Sequence, residues 1–210
     1  VAPNDNEPTR ERLIAAAREL FLARGFAATS TRAIAAQAGC NLSLIKYYFG
    51  SKEGLLREML RVQYAAIEAD VRELAAHDGP PAERLAAIIA AIAGRIDQNR
   101  ELLRMMIREL ATEDSPVAVE VAGLVRMVQN PIIALLEDAR RQGQIRDVDP
   151  RFAGISLVGM LAFYHLAYPV TSILVGRRDP ATIATLRDVV TRVFLHGVLL
   201  PPDPAKETAP

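Results

Sequence analysis

Ser43, Lys46, Tyr47, Tyr48 and Lys52 crowd into one short stretch, with Ser30, Thr31 and Arg32 just upstream. Nothing in this spacing resembles a nucleophile beside its base. The group offers hydroxyls, phenols, one guanidinium and two ammonium groups, all suited to non-covalent recognition. Such side chains hydrogen-bond to base edges and hold phosphates. From Leu20 to Lys52 there is also no Asp or Glu, although the chain carries 25 of them against 25 Lys and Arg. A surface that gathers bases and tyrosines and omits carboxylates suits a polyanion.

The flanking residues supply elements to position that group. Ser30 can cap a short helix by accepting from one of its free N–H groups. Ala33, Ile34, Ala35 and Ala38 give that helix a small apolar face. Gly39 stands where it must end, at the position that favours a left-handed backbone. Cys40 follows, and Asn41 can cap a second helix. At about 100° per residue, Ile45 and Phe49 share one side of it. Ser43, Leu44 and Tyr47 share the other, with Leu42 at its head and Lys46 and Tyr48 on the flanks. Such a rod fits a major groove. Gly50 breaks it, Ser51 caps the next helix, and Lys52 and Glu53 stand at the new N-terminus.

The runs GFAATSTRAIAAQAG and SLIKYYFGSKEGLL resemble the DNA-binding segment of the TetR family of bacterial transcriptional regulators, over about Thr9 to Leu60. The resemblance implies phosphate contacts for Tyr48 and Lys52. It places Arg32, Ser43, Lys46 and Tyr47 at or near base edges. Leu44 stands where the family often has Thr, which would replace a polar contact by an apolar one. The resemblance further implies a homodimer joined through the last two long helices, the eighth and ninth, and a ligand cavity enclosed by the fourth to eighth helices.

The composition agrees with an all-α chain. Half of the 210 residues are hydrophobic and only 5% are aromatic. Net charge is zero, yet residues 1–62 hold nine Lys and Arg against six Asp and Glu. One cysteine forms no internal disulfide and fits a reducing, cytoplasmic setting. About nine helices are expected. A tail over 1–8 precedes a three-helix, helix-turn-helix domain over 9–52, whose first helix Thr9 caps. A connecting helix covers 53–77, a ligand-binding and dimerisation domain 78–200, and a flexible tail 201–210. Ser115-Pro116 opens a helix that Pro131 should kink or split. The apolar stretch Phe152–Gly176 is long enough to span a bilayer. Gly154, Ser156, Gly159, His165 and Pro169 dilute it, so it reads as a buried helix distorted near Pro169, with no membrane partner.

Expected partners are a double-stranded DNA operator, a small-molecule effector and a second copy bound through about 150–175 and 181–200. Met105, Met106, Met127, Met160, Phe163, Tyr164, His165 and Tyr168 are the candidate ligand contacts, since adaptable thioethers and aromatics with polar tips line many pockets. A Met or aromatic at helical spacing is more often plain core, and a lone histidine such as His165 more often a hydrogen-bonded structural residue. Glu109, Glu113 and Asp114 read as surface acids. No cofactor, metal or catalytic set is expected. Gly50-Ser51-Lys52 lacks the upstream glycine of a phosphate loop. His77, His165 and His196 have no metal-ligand spacing. Two other readings compete: a helical binding protein that touches a membrane, and an enzyme.

Overall fold

The structure, a computed structural model, describes residues 6–110, 115 and 117–200. Ten helices carry it: α1 (Asn6–Arg24), α2 (Thr31–Gln37), α3 (Ser43–Phe49), α4 (Lys52–Ala76), α5 (Pro81–Gln98), α6 (Arg100–Leu110), α7 (Ala118–Arg141), α8 (Pro150–Leu166), α9 (Tyr168–Val175) and α10 (Pro180–Val198). Among the described residues the sole β pairing is an isolated bridge between Ile145 and Leu199. The expected tail 201–210, residues 1–5 of the expected leading tail, and Glu113, Asp114 and Pro116 lie outside the described residues.

The chain forms two compact units, residues 1–66 with 99–125, and residues 67–98 with 126–210. In the first, the α1 stripe Leu13, Ala17, Leu20 and Phe21 packs on Ile34, Ile45, Leu55 and Leu60. Leu13 and Phe21 are fully buried, each contributing roughly 1.5–3 kcal/mol of transfer free energy. Leu102, Met105 and Met106 of α6 and Val121 and Leu124 of α7 close the same core. The i, i+3, i+4 spacing of the three α6 residues makes one face, but spacing carries no address for that face. Helix α1 begins at Asn6, ahead of Thr9. Pro8 sits in its first turn, where backbone N–H groups have no helical partner to lose.

In the second unit α5 is the centre, with Leu85, Ile88, Ile89 and Ile92 buried. Helices α8 and α10 pack on it and on each other, and Leu157 and Leu161 of α8 and Val190, Phe194 and Val198 of α10 are buried. Helix α7 runs through Pro131 as a single helix. The apolar stretch after Asp149 does not: it breaks at Ala167 into α8 and α9, bent by 87°. Pro169 lies in the first turn of α9, where its missing N–H costs no helical hydrogen bond, and the non-helical residue at the break is Ala167 (φ −94°, ψ 25°). Thr171 Oγ1 then donates to the Tyr164 carbonyl at 2.8 Å across the bend. By length and composition α7 could cross a membrane, and α8 with α9 could only if taken as one span.

Candidate nucleic-acid interface

Helix α2 begins as its sequence dictates. Ser30 is extended (ψ 151°) and its hydroxyl accepts from Ala33 N. It ends on Gly39 at φ +62°, with Cys40 N donating to Ala35 O and Gly39 N to Ala36 O. That paired pattern satisfies carbonyls the helix end would leave open. Asn41 then caps α3 from just outside it: Asn41 Oδ1 accepts from Ser43 N at 2.9 Å and from the Ser43 hydroxyl at 2.8 Å. Ile45 is the buried anchor of α3.

The outward face of α3 holds Leu42, Ser43, Lys46 and Tyr47, the last 73% exposed. Leu44, expected among them, is half-buried and packs against the core, as do Tyr48 and Phe49. The Tyr48 ring stands edge-on to Tyr47, with centroids 5.0 Å apart. On α2, Arg32 is exposed and Thr31 half-buried, with exposed Ser30 before it. Among the described residues neither Arg32 nor Lys46 has an ion-pair partner.

Lys52 points elsewhere. Its ammonium donates to Phe26 O at 3.0 Å and Thr29 O at 3.1 Å, and lies 4.2 Å from the centre of the Phe26 ring. The opposite side of this turn is held by Glu109 of α6, whose Oε1 accepts from Phe26 N at 2.9 Å. Thr29 Oγ1 donates inward to Gly25 O at 2.7 Å. The turn that leads into α2 is thus fixed by an ammonium, a carboxylate and a hydroxyl from three parts of the chain. Gly25 itself has φ +85°, and a β-carbon there would meet Glu109 Oε1 at 3.1 Å. Gly54 is tighter still, since a β-carbon on it would lie 2.0 Å from Phe49 O. The end of α3 can approach α4 only because this residue has no side chain.

The start of α4 is electrostatically settled. A hydrogen bond from its own backbone N–H, then one from the Ser51 hydroxyl, holds the Glu53 carboxyl below its ordinary value. Glu58 is lowered chiefly by the hydrogen bond from Arg61, with Arg10 of α1 also paired to it. Arg57 pairs with Glu120 of α7. Sequence reasoning does not find Thr29, Gly54 or the inward roles of Lys52 and Glu109. The glycine of the SKEGLL run is the one signal for Gly54; no local pattern marks Glu109.

The expected ligand residues do not converge. Met105 and Met106 are in the first unit's core. In the second unit, Tyr164, His165 and Tyr168 cluster, the Tyr164 ring centroid lying 5.3 Å from that of His165 and 5.9 Å from that of Tyr168. Arg178 and Asp97 form a forked pair beside them (Nε–Oδ1 2.6 Å, Nη2–Oδ2 2.9 Å). Met160 is half-buried, and Phe163 is exposed on the outer side of α8. Met127 lines an open cleft of about 680 Å³ between α4, α5 and α7.

Residues 13–59 match the bacterial regulatory proteins of the tetR family, and residues 78–166 match the tetracyclin repressor-like C-terminal domain. The chain belongs to the TetR family. Such proteins are DNA-binding transcriptional regulators, not enzymes, and usually act as dimers. The HTH-type transcriptional regulator PksA of Bacillus subtilis is 26% identical over 102 residues, 49% of this chain and 48% of that protein. The HTH-type transcriptional dual regulator CecR of Shigella flexneri is 57% identical over 49 residues, 23% of this chain and 22% of that one. The chain thus spans about half the length, or less, of these relatives. The crystal structure of the transcriptional regulator FadR from Bacillus subtilis in complex with stearoyl-CoA shares the fold, with TM-score 0.74 and 20% identity, over 89% of this chain and 98% of that one.

Proposed function

We propose that this TetR-family regulator is a cytoplasmic one-component repressor. It binds a palindromic operator as a homodimer and leaves it when a small-molecule effector occupies the second unit. The observation that carries this reading is the outward face of α3, where Ser43, Lys46 and Tyr47 stand exposed within a stretch of sequence that has no Asp or Glu. Tyr47 and Lys46 would enter the major groove with Arg32 and Ser43 beside them, and Ser30, Thr31 and Leu42 at the margin. Tyr48 is assigned to the phosphates; Lys52 serves here by fixing the turn before α2.

One short recognition helix reads too few base pairs for a unique site, so two copies must read two half-sites. The second copy has a surface to meet. Phe152, Ile155 and Phe163 of α8 are 69%, 58% and 64% exposed, and Val189 and Val193 of α10 are 49% and 57% exposed. Gly159 stands in the same α8 stripe with nothing near its missing β-carbon. Apolar faces of this kind mark association surfaces, and a two-fold dimer would pair each with its own copy. Helix α4 contributes residues to both units, which makes it the lever by which an effector would re-aim the recognition helices. Release requires the effector to bind the DNA-incompetent state more tightly.

The test is titration of purified protein into duplexes drawn from its own upstream region, with a permuted duplex as control. Saturable binding of two protomers per palindrome supports the reading. Indifference to every duplex at low ionic strength, or a monomer that binds as tightly, defeats it. Release fails separately if a bound effector leaves operator affinity unchanged.

A further inference from the structure

The cleft between α4, α5 and α7 lies wholly within the second unit and combines two chemistries. Its volume of about 680 Å³ falls in the usual range for small-molecule sites, about 300–1,000 Å³. Met127, Pro131, Ala134 and Leu135 give it an apolar wall on α7. Glu68 and Arg72 of α4, Arg84 of α5 and Asp138 of α7 give it charge of both signs.

The carboxylates are largely committed. Glu68 is buried and paired with Arg72, one turn along its own helix. Asp138 accepts from Arg141 Nη2 at 3.2 Å on one oxygen and from Gln142 Nε2 at 2.8 Å on the other. The guanidinium groups are not. Each has five N–H donors. Arg72 spends Nη2 on Glu68 and otherwise stands 69% exposed at the cleft. Arg84 spends Nη2 on the Ala75 carbonyl at the end of α4. Its Nε is buried without a hydrogen-bond partner among the described residues. A buried donor left unsatisfied is unfavourable, and a planar guanidinium edge is matched by carboxylate or phosphate oxygens. What this cleft lacks is acceptors.

We propose that the cleft binds an amphipathic anion, an apolar body on the α7 wall with a carboxylate or phosphate head on Arg84 and Arg72. Its role as the effector site rests on the regulator reading above; binding itself does not. Because one of the head's partners and the apolar wall lie on α4 and α7, which also contribute to the first unit, occupancy would act on the connecting helices directly.

The chain has no tryptophan, so Ala134→Trp, at an exposed position on the wall, places a single fluorophore in the cleft. Four probes of equal chain length are titrated below their micellar concentrations without DNA: decanoate, decyl phosphate, decanol and decyltrimethylammonium. Decanoate or decyl phosphate should change the emission saturably, and the tighter of the two identifies the head. Arg84→Gln should weaken that binding by about tenfold. Should Arg84→Gln lose helicity through the Ala75 contact, Arg72→Gln on exposed surface serves instead and should weaken binding in the same direction. The proposal is overturned if decanol or decyltrimethylammonium saturates at equal or lower concentration, if folded arginine variants bind the anions unchanged, or if no probe saturates. Protein that binds the anion but no operator sinks the regulator reading alone; protein that binds operator but no anion sinks the cleft alone.

Discussion

The outward face of α3 and the outward faces of α8 to α10 are opposites. In the first unit, the exposed residues of α3 itself are polar and the core beneath it is apolar, with Thr29 the buried exception nearby. In the second unit, large apolar residues stand in solvent along α8, α9 and α10, while Glu68, Gln129, His165 and Thr171 are buried. The first unit presents a face suited to a strongly hydrated polyanion, so its outside must be wet and its turns fixed. In the second, the exposed faces of α8 to α10 are apolar, as the proposed dimer requires, and the interior carries polar groups. One chain thus displays two recognition strategies, and each can be attacked separately.

The largest effect is expected at Gly54. Gly54→Ala forces the end of α3 away from α4, an overpacking that costs about 1–3 kcal/mol and misplaces the recognition helix. Operator binding should be lost and the melting temperature should fall; wild-type operator affinity would show that the close approach is not needed. Phe163→Glu is the counterpart in the second unit. It should yield monomers by sedimentation with helicity intact, and operator affinity should fall with them. A dimer that survives this charge places the interface elsewhere.

Finer tests divide the first unit's surface. Tyr47→Ala should alter sequence preference by about 1–3 kcal/mol at one base step. Lys52→Ala should weaken binding to all sequences and lower stability, yet leave the salt dependence unchanged, since its ammonium holds two carbonyls. A salt slope reduced by about one would return Lys52 to the phosphates. The smallest effect belongs to Asp149, the N-cap of α8. The Arg151 guanidinium, then the Arg151 backbone N–H, holds its carboxyl down at about 2, against an ordinary 3.8. A depressed pKa means stability that is fully present above 3.8 and is lost as pH falls toward about 2. Asp149→Asn should remove that part of the acid dependence of the melting curve.

What the sequence discloses follows from the range over which each cause acts. Ser30, Gly39 and Ile45 announce themselves because a cap, a left-handed turn and a helical face are each fixed within a few residues. The face of Leu44 is misread from sequence because a two-turn helix has no repeat to average over, and core from outside α3 covers one flank. Pro131 reads as a kink or a split in α7, and the helix is not split there. Pro169 reads as a distortion of its helix, and the break comes two residues earlier, at Ala167. Glu109 is legible only as a surface acid, because its partner Phe26 is 83 positions away. Met105 and Met106 look like pocket residues for the same reason: periodicity tells which side of a helix is dry, not what dries it.

The first unit is assembled from two separate stretches of chain, and this bears on how it is made. When α4 has been synthesised, the seats for Leu102, Met105, Val121 and Leu124 are still empty, and a truncated head ending at Ala66 would leave them open to water. On the ribosome the DNA-reading part therefore waits, incomplete, until residue 125 has emerged. The recognition helix thus gains its full core only some sixty residues after α4 begins to leave the first unit, and a fragment ending at Ala66 should be aggregation-prone.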